Sequence, residues 1–299
     1  WTANRVLPIK KATVEAPLIA FKGINMVSVP TQFRLVSDVR LSPVAVRAAN
    51  FLTGEEFVVT PGGELGHTPS RRNIPVLDKE QGLIETWSGS KVITGMHVID
   101  RPVKILSGTT LRMRPGASLI FRNKVEVEGT REAPVRVIPD VPGGKPWGTI
   151  ALHGPNTAGS VLSHLIAEGG SGVLMKNIRY IGMLSVHEAR DVKFQNLTMR
   201  KNHTFDDMMH IVYSEDILMR DCVFEDAFSD GLDVDISTVR IEGCRISGSG
   251  NDAVDLMGSK VLIMASELSR SGDKGISVGE ASQVLVYNSR LENNIIGLE

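Results

Sequence analysis

The sequence has few cysteines, few aromatic residues and almost no net charge. Two cysteines in 299 residues are too few for a disulfide framework or a cysteine-based zinc site. Aromatic residues make up 5% of the chain, which argues against a broad aromatic platform for sugars. There are 33 lysines and arginines against 34 aspartates and glutamates. The chain therefore has no overall charge to attract nucleic acid or an anionic membrane.

The sequence shows neither a long apolar run nor a visible signal peptide. No stretch approaches the roughly 18 apolar residues that a membrane-spanning helix needs, so we expect no membrane span. No signal peptide is visible and the chain begins at Trp1 rather than Met, which is typical of a processed or trimmed protein. The basic stretch 71–79 has no interleaved aromatic residues, so nucleic acid is not an expected partner. Nothing indicates an oligomeric state.

What the sequence does contain is a repeat of about 22 residues. Leu232, Val254 and Ile276 follow one another at steps of 22. Three columns of this kind continue through the second half of the chain: Met209, Leu232, Val254 and Ile276; Ile217, Val239, Val261 and Val284; and Asn196, Cys222, Cys244, Ser266 and Ser289. Self-similarity at such a period is typical of solenoid proteins.

The content of each repeat selects the type of solenoid. Short strands of alternating apolar residues are divided by Gly, Asn, Ser and Asp. About 22 residues leave no room for a crossover helix, which excludes a doubly wound sheet, and the Leu-x-x-Leu-x-Leu frame of leucine-rich repeats is absent. The pattern predicts an all-β, single-stranded parallel β-helix of about 22–23 residues per coil.

The period also suggests how the chain is organised. Residues 86–299 are predicted to form the β-helix, which should continue beyond the last residue because an open stack leaves an unpaired edge. Residues 1–85 lack the period and are predicted to be a small N-terminal unit or cap of mixed structure. Within them, 42–54 has the capping residues of a short helix.

The two cysteines lie in one column on adjacent coils. Neighbouring strands are about 4.8 Å apart, which is within the Cα separation that a disulfide permits. Free, stacked thiols are the favoured interpretation, because unpaired cysteine is commonly buried. Both alternatives remain open at this point.

Polar residues form two columns beside the inward apolar positions. Since side chains alternate along a strand, the residues after the inward positions should point outward. These are His210, Asp233, Asp255 and Ser277. Two positions before the inward residues stand Asp207, Asp230, Asp252 and Lys274. Asp206, Asn251 and Asp273 flank them at the adjacent corner.

Four interpretations of these columns compete. Asp before Gly at a corner is ordinary turn chemistry. A pair of stacked carboxyls can also cleave a glycosidic bond by acid/base catalysis. The oxygens of Asp230, Asp233, Asp252 and Asp255 would suit Ca²⁺. Lys274 beside acids would suit proton abstraction from a uronic acid.

Other candidate residues carry weaker signals. His153, His164 and His187 have no acid at a set spacing and are predicted to be surface or core fillers. Coils of 22 or 23 residues leave little room for loops that would build the walls of a groove. The lack of room for walls is the main argument against an enzyme.

Three segments resemble a known family. "SDGLDVD" is similar to the Asn-Thr-Asp-Gly-Ile-Asp motif of polygalacturonase-type glycoside hydrolases, "GNDAVDL" to their Gly-Asp-Asp-Cys-Ile, and "GDKGISVGE" to their Gly-His-Gly-Ile-Ser-Ile-Gly-Ser. Asn251 replaces the first acid of the second motif, and Lys274 replaces the histidine of the third. The family's later Arg-Ile-Lys motif has no counterpart. More broadly, the chain resembles the pectin-lyase-like superfamily of right-handed parallel β-helices.

The resemblance implies an exported protein, in the periplasm, on the cell surface or secreted, that acts on an acidic polysaccharide. Hydrolysis, elimination and epimerisation all remain open. Asp230 and Asp252 would be the acid/base pair, and Lys274 a charge-neutralising residue or a base. The residues lining the substrate groove would be Asp207, His210, Asp233, Asp255, Asn251 and Asp273. The alternative is a non-catalytic spacer or binding scaffold, with or without bound Ca²⁺; no other cofactor is expected.

Overall fold

The computed structural model describes residues 84–299, together with four short strands of the N-terminal part. The chain divides into two compact units, 1–80 and 81–299. In the first unit the strands form two antiparallel pairs. Their bounds are Ala12–Glu15 with Arg34–Ser37, and Val46–Ala49 with Glu56–Val59. The basic stretch 71–79 lies outside the described residues. The role of residues 1–85 as a separate unit or a cap stays a prediction.

The helix predicted within 42–54 is wrong. Val46–Ala49 is a strand that pairs with Glu56–Val59. The helix prediction rested on Ser42, Pro43 and Gly54, and such residues mark turns as readily as helix ends. The valine-rich partner segment favours a strand.

Residues 84–299 form a parallel β-helix, in which each coil contributes one strand to each of three sheets. In chain order, sheet 1 contains Glu85–Trp87, Val103–Leu106, Val125–Glu128, Val161–Ser163, Arg190–Gln195, Glu215–Arg220, Thr238–Glu242, Lys260–Met264 and Gln283–Tyr287. Sheet 2 contains Ser90–Ile93, Thr110–Met113, Val135–Pro139, Leu165–Glu168, Thr198–Arg200, Val223–Glu225, Arg245–Ser247, Glu267–Ser269 and Arg290–Glu292. Sheet 3 contains Met96–Ile99, Ser118–Phe121, Ile150–His153, Gly182–His187, Asp207–Val212, Leu232–Asp235, Val254–Met257, Lys274–Val278 and Ile296–Leu298.

Two further elements interrupt this regular order. A short 3-10 helix covers Pro155–Thr157, and Val173–Met175 pairs with Ile178–Tyr180 as an antiparallel hairpin. The predicted all-β fold and its repeat are confirmed. No helix in the described part of the chain is long and apolar enough to cross a membrane.

The predicted apolar columns are the core of the β-helix. Leu232 pairs in register with Val254, and Val254 with Ile276, and all three side chains are fully buried. Burying an aliphatic side chain of this size stabilises the fold by about 1.5–3 kcal/mol. Because every coil repeats the same inward positions, the core is continuous along the stack.

The third predicted column needs one correction. Cys222 and Cys244 point inward, and the Cys244 N–H donates to Ser266 Oγ at 3.1 Å. Asn196, however, is exposed, with a φ of 52°, and the buried residue beside Cys222 is Leu197. Asparagine tolerates the left-handed conformation better than most residues, so Asn196 forms the corner.

Both cysteines are free and buried, which leads to a simple prediction. Neither thiol should react with a thiol-specific dye in the native protein, because the reagent cannot reach the coil interior. After denaturation without reductant, two thiols per chain should titrate. Rapid labelling of the native protein would contradict the buried position, and no labelling after denaturation would indicate a disulfide.

Candidate active site

The outer face of sheet 3 carries the first predicted polar column. His210 pairs in register with Asp233, Asp233 with Asp255, and Asp255 with Ser277. In strand Leu232–Asp235 the burial alternates, so that Leu232 and Val234 face the core and the two aspartates face outward. The alternation therefore brings Asp235 to the same face, although Asp235 is not among the predicted site residues.

The second column is held together through its carboxylates. Asp230 Oδ1 accepts the N–H of Asp252 at 2.7 Å and the Nδ2 of Asn251 at 2.9 Å. One coil further on, Asp252 Oδ1 accepts the N–H of Lys274 at 2.7 Å. Each carboxylate thus fixes the backbone of the next coil. The Oδ2 atoms of Asp230 and Asp252 accept no hydrogen bond from the described residues, so each carboxyl keeps one oxygen unengaged.

Burial sets the protonation of this pair. It raises the pKa of Asp230 to about 6, against the opposing effect of the Asp252 N–H and the Asn251 amide. Burial also raises the pKa of Asp252, while the backbone N–H and positive charge of Lys274 oppose it. Asp230 can therefore hold or release a proton near neutral pH.

Lys274 lies at the end of the second column. Its Nζ is 2.6 Å from Asp273 Oδ2, 3.7 Å from Glu299 Oε2 and 4.0 Å from Asp252 Oδ1. The hydrogen bond with Asp273 is the main reason why the pKa of Lys274 is raised. A lysine that holds its proton tightly is a poor base, because proton abstraction needs a pKa near the working pH. It suits charge neutralisation instead.

An acid–histidine group adjoins the carboxyl pair and contains His210, Asp233 and Asp235. One ligand atom from each of these residues lies within 4.8 Å of the other two. Of the four aspartates predicted to bind Ca²⁺, Asp233 alone belongs to this group. Burial, followed by the charges of Asp235 and Asp255, raises the pKa of Asp233 to about 9. Burial and Asp233 also raise the pKa of Asp207 well above its usual value.

Histidines extend the polar surface toward the N-terminal coils. His153 pairs in register with His187, and its Nδ1 lies 2.8 Å from the Tyr180 hydroxyl. The His187 ring is 4.8 Å from that of Tyr180 and 5.3 Å from that of His210. Burial lowers the pKa of His153 to about 4 and that of His187 well below its usual value. Both imidazoles are therefore neutral near pH 7.

His153 and His187, predicted to be surface or core fillers, lie together on one face, and that role stays a prediction. They continue the outer face on which His210 lies, whereas His164 is at a separate corner against Ser163. The sequence signal for this placement is the alternation of apolar and polar residues within strands Ile150–His153 and Gly182–His187, which puts both histidines on the outer side. The hairpin between these two strands lengthens the coil and hides the repeat.

The same hairpin packs on the outer face of sheet 3. Tyr180, at its end, packs against Ile120 and Ala151 on the outer face of sheet 3. At its base, the Ser171 hydroxyl donates to the carbonyl of His203. The hairpin therefore covers the outer face of sheet 3 at the strands that carry Ile120 and Ala151. The coils from Asp207 to Lys274 keep the regular length that leaves little room for a loop of this kind.

Comparisons with known proteins address the fold. Residues 182–299 match the family model described as the right-handed β-helix region. This region is a right-handed parallel β-helix. No curated protein matches the chain. A crystal structure of a GH136 lacto-N-biosidase from Eubacterium ramulus is similar at 9% identity and a TM-score of 0.21, over 66% of this chain and 56% of that one. The chain thus spans little more than half of that protein, and the similarity is too low to inform function. The polygalacturonase resemblance stays a prediction.

Proposed function

We propose that this β-helix protein hydrolyses glycosidic bonds of a polysaccharide bound along the outer face of sheet 3. One observation carries the proposal. Asp230 and Asp252 stack on adjacent coils, and the next coil orients each through a backbone N–H at 2.7 Å. Glycoside hydrolysis requires two carboxyl groups that are held in place. Asp230 and Asp252 meet this requirement, and each has one oxygen without a hydrogen bond from the described residues.

The two carboxyls differ in a way that suits separate roles. Asp230, with its pKa near 6, donates the proton to the glycosidic oxygen as the C–O bond breaks. Asp252, beside the charge of Lys274, attacks the anomeric carbon with its unengaged oxygen. Water, deprotonated by Asp230, then displaces Asp252 from the sugar and returns both groups to their starting states.

The spacing of the pair favours one stereochemical outcome. Adjacent strands of a sheet are about 4.8 Å apart. Retaining glycosidases hold their carboxyls about 5–5.5 Å apart, and inverting ones about 6.5–9.5 Å. Direct stacking on neighbouring coils therefore favours retention of the anomeric configuration.

Charge on the same face favours a neutral polysaccharide over the acidic one implied by the resemblance. Asp255 stands in the adjacent outward column, Asp233 beside it holds its proton at neutral pH, and Lys274 is already paired with Asp273. Carboxylates repel uronic acids but accept hydrogen bonds from sugar hydroxyls. Elimination and epimerisation need a uronic acid and a base, so hydrolysis is the better match.

The test incubates the full chain with a panel of neutral and acidic polysaccharides and measures their cleavage. We expect new reducing ends on a neutral polysaccharide, no absorbance from unsaturated uronic products, and retained configuration in the first product by NMR. Unsaturated products would indicate elimination instead. An inverted first product would show that Asp230 and Asp252 are not the acid and nucleophile.

A second candidate function is the non-catalytic scaffold. The observation in its favour is that the same hydrogen bonds of Asp230 and Asp252 tie three coils together, which is a structural task. A scaffold predicts no turnover on any glycan. It also predicts that Asp230→Ala, which removes the acceptor, lowers the melting temperature much more than Asp230→Asn, which keeps it.

A further inference from the structure

The acid–histidine group has the spacing of a metal site. His210 Nε2 lies 3.5 Å from Asp235 Oδ2 and 3.8 Å from Asp233 Oδ2. Two ligand atoms, each about 2.1 Å from a tetrahedral ion, are roughly 3.4 Å apart. The two measured separations are therefore close to the spacing that a bound ion imposes.

The three side chains are also fixed in place. Asp233 and Asp235 project from one strand, and His210 faces Asp233 across the neighbouring strand. The His210 side chain is only 7% exposed, against 17% and 19% for Asp233 and Asp235. Ligands on packed strands lose little freedom when an ion binds, and the partly exposed carboxylates give the ion a route from solvent.

An unpaired carboxyl oxygen beside the group is a second, independent observation. Within the described part of the chain, Asp207 Oδ2 is buried without a hydrogen-bond partner. The Asp207 side chain is buried, with 1% of the residue exposed. After burial, the charge of Asp233 has the largest effect on the pKa of Asp207. Folded proteins rarely leave buried polar atoms unpaired, and a bound ion with its water is one of the usual reasons.

We propose that His210, Asp233 and Asp235 bind one divalent transition-metal ion, with Zn²⁺ as the representative. Calcium prefers oxygen ligands in sets of six to eight, whereas imidazole selects transition metals. Three protein ligands plus water is the arrangement of an open zinc site. The ion also offsets the repulsion between Asp207, Asp233 and Asp235. The site uses neither Asp230 nor Asp252, so it does not depend on glycan hydrolysis.

The experiment measures metal directly. The full chain is stripped with a chelator, dialysed against Zn²⁺ and then against metal-free buffer, and bound zinc is counted per chain; titration calorimetry gives the dissociation constant. We expect about one retained Zn²⁺. Asp235→Asn and His210→Gln should each weaken binding at least about tenfold. Asp255→Asn is the matched control and should bind like wild type, because Asp255 stacks on Asp233 but lies outside the group.

Circular dichroism of the metal-free variants checks that they are folded. A variant that does not fold is replaced by Asp233→Asn, which removes a different ligand of the same ion. Absence of retained Zn²⁺ in the folded wild type would overturn the site. Equal weakening by Asp255→Asn and Asp235→Asn would also overturn it, since binding would then reflect general negative charge. Neither result would bear on hydrolysis by Asp230, which is assayed with metal-free protein.

Discussion

Asp230→Asn is expected to lower kcat/KM for polysaccharide hydrolysis by about 10²–10⁴-fold, the usual contribution of a general acid. The asparagine Oδ1 can still accept the Asp252 N–H and the Asn251 amide that now bond to Asp230. The coil corner should therefore keep its structure while the transferable proton is lost. Initial rates of reducing-end release, with melting temperatures of both proteins, measure the effect.

The pH dependence of the hydrolysis rate distinguishes the loss of the general acid from a structural change in the Asp230→Asn protein. Because Asp230 acts protonated and its pKa is about 6, wild-type activity should fall as the pH rises through about 6. This limb should be absent from the residual activity of Asp230→Asn.

A matched control for this substitution is Asp226→Asn. Asp226 is an exposed corner residue four positions earlier, with a φ of 58° that asparagine also tolerates. It should keep wild-type activity and the wild-type profile. Full activity in Asp230→Asn, or the same loss in Asp226→Asn, would contradict the role given to Asp230.

The fold was predictable from sequence because its cause is local and repeated. Each coil must bury the same inward positions, so Leu232, Val254 and Ile276 recur at a fixed step and settle into register. Asn196 shows where a column defined by spacing alone fails. Its coil is longer, so the inward position falls one residue later, at Leu197. Asn196 takes the left-handed corner that Asp221 and Gly243 take in the following coils.

The candidate site was only partly predictable, because part of it depends on an irregular segment. The column with Asp233 follows from alternation, and the column with Asp230 follows from the 22-residue repeat. The meeting of His153 with Tyr180 does not, since the hairpin that carries Tyr180 interrupts the period and its packing on Ile120 is a tertiary contact. Asp235 was within reach, because it lies two residues after Asp233 on the same strand. It was missed because the family motif ends before it.

His153→Asn is expected to reduce the acid sensitivity of the folded state by about 2–3 kcal/mol between pH 7 and pH 4.5. Burial, with a smaller contribution from the charge of Arg122, lowers the folded pKa of His153 to about 4, below the unfolded value of about 6.5. Its neutral form therefore contributes stability that is fully present above pH 6.5. That contribution is lost as the pH falls toward 4, because the unfolded chain binds the proton more tightly.

Asparagine is the informative replacement, since its Oδ1 can accept the Tyr180 hydroxyl in place of Nδ1. The free energy of unfolding is measured in urea at pH 7 and at pH 4.5, and the difference between the two values gives the acid sensitivity of each protein. Asp230, whose raised pKa acts with the opposite sign, is common to both proteins and cancels in the difference. The pKa of His187 is lowered mainly by its own burial and least by His153, so its contribution changes little. His153→Phe should be less stable than His153→Asn at pH 7 but show the same reduced acid sensitivity. If wild type and both variants lose equal stability on acidification, His153 is not held neutral, and the packing of the hairpin against this face must be looser than the ring contacts indicate.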